Sequence, residues 1–138
     1  METSNLRESY GMTLVELGRT DQRIVVLEAD LGKSTRSCLF KDQFPERYFE
    51  MGIAEQNMTS TAAGLALVGK IPFVGSFAVF ATGRAYDQIR NVVCIPNLPV
   101  RICGSSSGIS APPSWCSGRS VGTRVATSHT RFPVRPRS

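Results

Sequence analysis

The stretch PERYFEMGIAEQNMTSTAAGLAL, Pro45 to Leu67, carries the chain from an extended segment into a helix within a few residues. Tyr48 to Met51 reads as a brief strand, and Gly52 supplies the turn that lets it enter a helix from about Ala54 to Val68. Ala62, Ala63, Gly64 and Ala66 are small, which permits close approach of a neighbouring backbone. Gly69 ends the helix as a glycine in the left-handed conformation does. Glu55 falls in the helix's first turn, where the helix dipole alone would account for a carboxylate.

The same alternation extends outward from this core. Upstream, Leu6, Tyr10, Leu14 and Leu17 recur at three- and four-residue steps, the stripe of an amphipathic helix that Gly18 can close. Ile24, Val25, Val26 and Leu27 form a short apolar run, as expected of a strand buried on both faces. EADLGKSTR, Glu28 to Arg36, then reads as a loop leading into a short helix with Ser34 or Thr35 as caps. Downstream, Ile71 to Phe77 reads as a strand, Arg84 to Val93 as a helix and Leu98 to Cys103 as another strand. Strands alternating with helices predict an α/β fold with a parallel sheet covered by helices.

At 138 residues the chain has room for one core and hardly two. Periodicity stops after Ala111, so the expected organisation is a domain over 1–111 and a disordered basic tail over 112–138. Arg119, Arg124, Arg131, Arg135 and Arg137 account for the whole net charge of +5, with no acid among them. The tail has no lysine, and the rest of the chain balances its charges, which argues against a nucleic-acid partner. Arginine without acids also fits translation out of frame, the alternative to a natural linker. Cys38, Cys94, Cys103 and Cys116 form no CxxC pair and show no metal-ligand spacing with His129, so they read as reduced, mostly buried thiols of a cytoplasmic protein. METSNLRESYG lacks the basic start and apolar run of a signal peptide. Lys70 and Pro72 divide the longest apolar stretch, Thr59 to Gly83, which argues against a membrane span.

The run MGIAEQN, the small-residue helix after it and the aromatic segment GSFAVFATGRAYDQIRN (Gly75 to Asn91) together resemble the pyrimidine-binding domain of transketolases. The C-terminal subunit of split transketolases is the nearest form, and the resemblance covers about residues 5–111. It implies a thiamine-diphosphate-binding fold, incomplete at its C-terminus, and transfer of a two-carbon ketol unit between sugar phosphates. By resemblance, Glu55 is the catalytic residue: its protonated carboxyl donates to the aminopyrimidine N1′, so that the cofactor's own imino group can deprotonate the thiazolium. Phe77 and Phe80 match aromatic residues that line the pyrimidine pocket, where a flat ring stacks well. The alternative for each is core packing. Tyr86 is treated as packing.

Asp30 and Ser34, in EADLGKS, match the family's Asp-Leu-x-x-Ser signature. The resemblance gives Asp30 a part in organising the cofactor pocket and the subunit contact. Ser34 and Arg7 would hold the phosphate of the sugar substrate, as a hydroxyl and a guanidinium fork can. The alternatives are a helix-capping serine and an exposed helix arginine, and Lys33 reads as a solvated charge. Ser106 stands where the family has a substrate-contacting histidine, and the Gly-Glu-Asp-Gly and Thr-His motifs that follow in the family are missing. His129 lies in an unrelated context.

The chain also lacks the Gly-Asp-Gly motif that holds the diphosphate and a divalent metal such as Mg. The resemblance therefore implies an N-terminal diphosphate-binding subunit as partner and a dimeric or higher assembly, with no metal ligand on this chain. Two other readings stand beside this one: a truncated or frameshifted fragment that only binds a partner, and a fragment of a deoxyxylulose-phosphate synthase.

Overall fold

The computed structural model describes residues 6–105 and 124–126. Helix α1 (Leu6–Thr20) leads to strand β1 (Ile24–Glu28), then to the short helices α2 (Gly32–Thr35) and α3 (Cys38–Gln43). Strand β2 (Tyr48–Glu50), helix α4 (Glu55–Leu67) and strand β3 (Ile71–Phe77) follow. A helical stretch then runs through a π-helical turn (Val79–Arg84), the single turn α5 (Tyr86–Gln88) and a second π-helical turn (Ile89–Cys94) before strand β4 (Arg101–Ser105). Strand β5 (Arg124–Ala126) comes last.

The sheet order is β2-β1-β3-β4-β5, parallel through β4, with β5 antiparallel at the edge. All five residues of β1 are buried, because the strand is central and covered on both faces. Alternation along it divides the core. Val25 and Leu27 pack with Met58, Ala62, Ala63 and Ala66 of α4, while Ile24 and Val26 pack with Leu14 of α1 and Phe40 of α3. The result is three layers, helix, sheet and helix, and the small residues of α4 are what let it lie close on the sheet.

The expected parallel sheet covered by helices is therefore present, and several boundaries move for physical reasons. Gly18 does not close α1 but is buried inside it; a Cβ there would come within 2.5 Å of Phe40. Neither Ser34 nor Thr35 caps a helix, because the Thr35 hydroxyl donates instead to the buried Glu28 carboxylate. The helix expected from Arg84 begins at Val79. Leu98 to Val100 stay outside β4, since the Leu98 and Val100 amides donate to the carbonyls of Val93 and Leu98, and Pro99 has no amide to give. Within the stretch read as a disordered tail, Arg124 to Ala126 pair with Gly104 to Ile102 along the edge of β4. The rest of that tail, with Cys116 and His129, lies outside the described residues, as does Ser106 before it.

Gly69 does close α4, at φ +85° and in open space. With no clash to relieve, Gly69→Ala is expected to cost only the left-handed strain, about 1–2 kcal/mol. A urea-unfolding comparison checks this; an unchanged midpoint would contradict the assignment.

No helix among the described residues is long and apolar enough to cross a membrane. Of the described cysteines, Cys103 is buried and Cys38 half-buried, but Cys94 is exposed, so the thiols are not mostly buried as expected. Burial pushes the Cys103 thiol up to about 11, which leaves it protonated and unreactive.

Candidate active site

The chain passes from β1 to β2 on one side and then to β3 on the other, so β1 and β3 flank the point where strand order reverses. In open parallel sheets, crevices for ligands form at the carboxyl ends of the strands beside such a point. The candidate residues gather there because each follows a strand end: Asp30 after β1, Glu55 after β2 and Phe80 after β3.

Glu50, which sequence reasoning did not single out, ties two of these ends together. Its Oε1 accepts hydrogen bonds from the Asp30 amide at 2.7 Å and from the Gly52 amide at 3.2 Å. Asp30 and Gly52 both have positive φ, at 57° and 68°, so one carboxylate holds two tight turns in place. The Asp30 side chain is exposed above this junction. Gly52 then directs the chain into α4, whose first residue is Glu55.

Glu55 is 3% exposed and lines a cleft of about 470 Å³ together with Ile53, Ala54, Gln56, Asn57 and Arg84. Arg84 Nη1 donates to both Glu55 oxygens, at 3.2 and 3.3 Å. The Arg84 guanidinium also lies 3.9 Å from the centroid of the Phe80 ring, which stacks against Phe77 with centroids 6.1 Å apart. Phe77 and Phe80 are both only partly buried, so neither ring is simply core. Glu55, Phe80 and Phe77 are thus brought into one cluster by an arginine that sequence reading passed over. Its signal was there: Arg84 stands four residues after Phe80 in a helical stretch. Tyr86, read as packing, is instead 68% exposed.

A second group lies by α1 and α2. Arg7 Nη1 donates to the Ser34 carbonyl at 3.4 Å, which brings these two together although 27 positions separate them. Both side chains remain at least partly exposed. Lys33 is exposed, and Arg36 pairs with Glu8 at 3.0 Å.

Beneath the Asp30 turn is a buried polar network. The Glu28 carboxylate accepts from Thr35 Oγ1 at 2.8 Å, Ser37 Oγ at 2.6 Å and the Ala29 amide at 3.3 Å. It leaves no room at Gly75 on β3, where a Cβ would stand 2.5 Å from Glu28 Oε2. Burial raises the Glu28 carboxyl above its ordinary value of 4.5, while the hydrogen bonds oppose the rise. The folded value therefore exceeds the unfolded one. Its contribution to stability is full below about pH 4.5 and is lost as pH rises through the folded value. Glu28→Gln, which cannot ionise, should lose less stability than the wild type between pH 4.5 and 8. Urea midpoints across that range test this, and parallel curves would contradict it.

The fold and cluster define an α/β domain that carries an acid and stacked rings at the carboxyl ends of its parallel strands. The profile of the family "Transketolase, pyrimidine binding domain" matches residues 2–114, and the chain belongs to that family. A protein of Methanocaldococcus jannaschii, provisionally described as a transketolase C-terminal section, is 51% identical over 105 residues, covering 76% of this chain and 33% of that protein. The 1-deoxy-D-xylulose-5-phosphate synthase of Lawsonia intracellularis is 42% identical over 127 residues, covering 92% of this chain and 18% of the synthase. Among solved structures, a split-gene transketolase described as an inactive beta4 tetramer aligns with a TM-score of 0.66 and 58% identity, over 72% of this chain and 33% of that one. The chain thus spans a third or less of the length of each.

Proposed function

We propose that this chain is the pyrimidine-binding portion of a transketolase, and that it holds the aminopyrimidine of thiamine diphosphate between the Phe80 face and the Glu55 carboxyl. The observation that carries this reading is the way Glu55 and Phe80 converge on one planar, nitrogen-bearing group, the Arg84 guanidinium. An aminopyrimidine asks for the same two things, a flat face and a carboxyl at its nitrogen edge. The residues present therefore fit that part of the cofactor. Bound there, thiamine diphosphate would supply the carbon centre that carries a two-carbon ketol unit between sugar phosphates.

The protein's own contribution is positioning and one proton. Glu55, nearly removed from water, would hold a proton at the ring nitrogen N1′, and Phe77 and Phe80 would fix the ring plane. Asp30, raised on the turn that Glu50 holds, would border the pocket and a subunit contact. Arg7 and Ser34 would take the substrate phosphate, a use their adjacency supports.

The diphosphate and its divalent metal are assigned to a partner chain with an N-terminal diphosphate-binding domain, in a dimeric or larger assembly. The likeness to a transketolase C-terminal section and to a split-gene transketolase supports that division. Mixing the full chain with such a partner and assaying ketol transfer tests the proposal. Two-carbon transfer that requires both chains is expected; transfer by the partner alone would refute it. The long match to a 1-deoxy-D-xylulose-5-phosphate synthase favours a second reading, which formation of a 1-deoxy sugar phosphate in the same mixture would select.

A further inference from the structure

Arg84 is placed where a bound ring would have to lie. Its backbone is fixed, since Gln56 Nε2 donates to the Arg84 carbonyl at 3.0 Å. Its guanidinium covers Phe80 at 3.9 Å and points Nη1 at both oxygens of Glu55. A guanidinium is planar and delocalised, stacks on aromatic faces and presents N–H groups along its edge. Those are the features by which an aminopyrimidine would be held on the same two side chains. One face of Phe80 cannot carry both planes at stacking distance.

We propose that Arg84 is an internal stand-in for the cofactor's ring: it pairs with Glu55 and must swing aside for the ring to enter, so that it sets the affinity of the site. The proposal rests on the aminopyrimidine reading given above. Two observations make the exchange feasible. The Arg84 side chain is 48% exposed, so it can move into water without uncovering a core. Glu55, by contrast, is 3% exposed, and a carboxyl so buried needs a hydrogen-bonding partner in either state. Arg84 supplies that partner before binding and the ring supplies it afterwards. The apparent affinity of a pocket open for only a fraction of the time falls by that fraction.

The test uses the full chain and an uncharged probe, 4-amino-5-hydroxymethyl-2-methylpyrimidine, so that removing a positive charge does not itself alter attraction. If Arg84 covers the pocket about nine-tenths of the time, Arg84→Ala should bind the probe about tenfold more tightly than wild type. In the wild type without probe, the Arg84 Nη–H signals in nitrogen-15 NMR should be protected from exchange, because Nη1 donates to Glu55, and should lose that protection in Glu55→Gln and, in the wild type, when probe is added. Should Arg84→Ala fail to fold, Arg84→Gln keeps the stem and hydrogen-bonding capacity, and a gain in affinity is expected there too. Probe binding by wild type with unchanged or weaker binding by the folded variant overturns the proposal and leaves the aminopyrimidine reading standing. Absence of probe binding in wild type and variants alike overturns both.

Discussion

Glu55→Gln, in the full chain assembled with a diphosphate-binding partner, is expected to lower ketol transfer by about 10²–10⁴-fold, the range over which a positioned proton donor contributes. Glutamine nearly preserves the size of the side chain and can still hydrogen-bond the ring, so the pocket keeps its shape. What it cannot do is hand over and recover a carboxyl proton at the ring nitrogen. The loss should therefore fall mainly on kcat, with a smaller change in the amount of cofactor retained. Rapid-quench turnover and cofactor retention measured on the same preparation separate the two effects. Turnover within a few-fold of wild type would show that Glu55 is only the helix-dipole carboxylate that its place in α4 also explains.

The largest stability effect is expected at Phe40→Ala. Phe40 is 0% exposed and joins three elements: it packs with Leu14 of α1, with Val26 of β1 and with Tyr48 of β2. Its ring is tilted against Phe44 at 5.0 Å, and Arg47 lies 4.1 Å from the centroid of Phe44 and 5.5 Å from that of Phe40. Arg47 is itself fixed by donating to the carbonyls of Gly18 and Asp21, so little of this assembly can collapse into the space the ring leaves. A loss of about 3–5 kcal/mol is expected. Against a typical domain stability of about 5–15 kcal/mol, that would leave a marginal fold. Urea unfolding reads it directly, and a loss below about 1 kcal/mol would mean that the α1–α3 layer packs less tightly than the structure shows.

These two sites also mark what was legible in the sequence. The alternation of strands and helices could be read because its signals are local: the apolar run of β1, the small face of α4, and Gly69 at a left-handed helix end. Glu55 and the two phenylalanines stood out through their neighbours in the chain. The less legible parts depend on contacts between distant segments. Glu28 belongs to the run EADLGKS, yet its buried network with Thr35 and Ser37 requires α2 to fold back under the end of β1. Glu50 is one charged residue among several until two turns with positive φ present their amides to it. Arg84 was missed for a similar reason. A six-residue π-helical turn leaves no periodicity that distinguishes it from an α-helix, so the sequence reads as helix only from Arg84, after the turn from Val79 that brings this side chain over Phe80. Gly18 looked like a helix end because glycine often is one, whereas here its missing side chain makes room for Phe40.

The central claim, that Phe80 and Glu55 form the two walls of an aminopyrimidine pocket, is tested most directly by an isotope-filtered NOE experiment. The full chain, with carbon-13 in its phenylalanine rings, is saturated with 4-amino-5-hydroxymethyl-2-methylpyrimidine, and contacts from the probe's methyl group to the protein are recorded. Cross-peaks to the Phe80 ring, lost in Phe80→Leu and weakened in Glu55→Ala, are the expected result. A probe that binds but gives no cross-peak to Phe80, or gives them to rings away from β3, would contradict the claim.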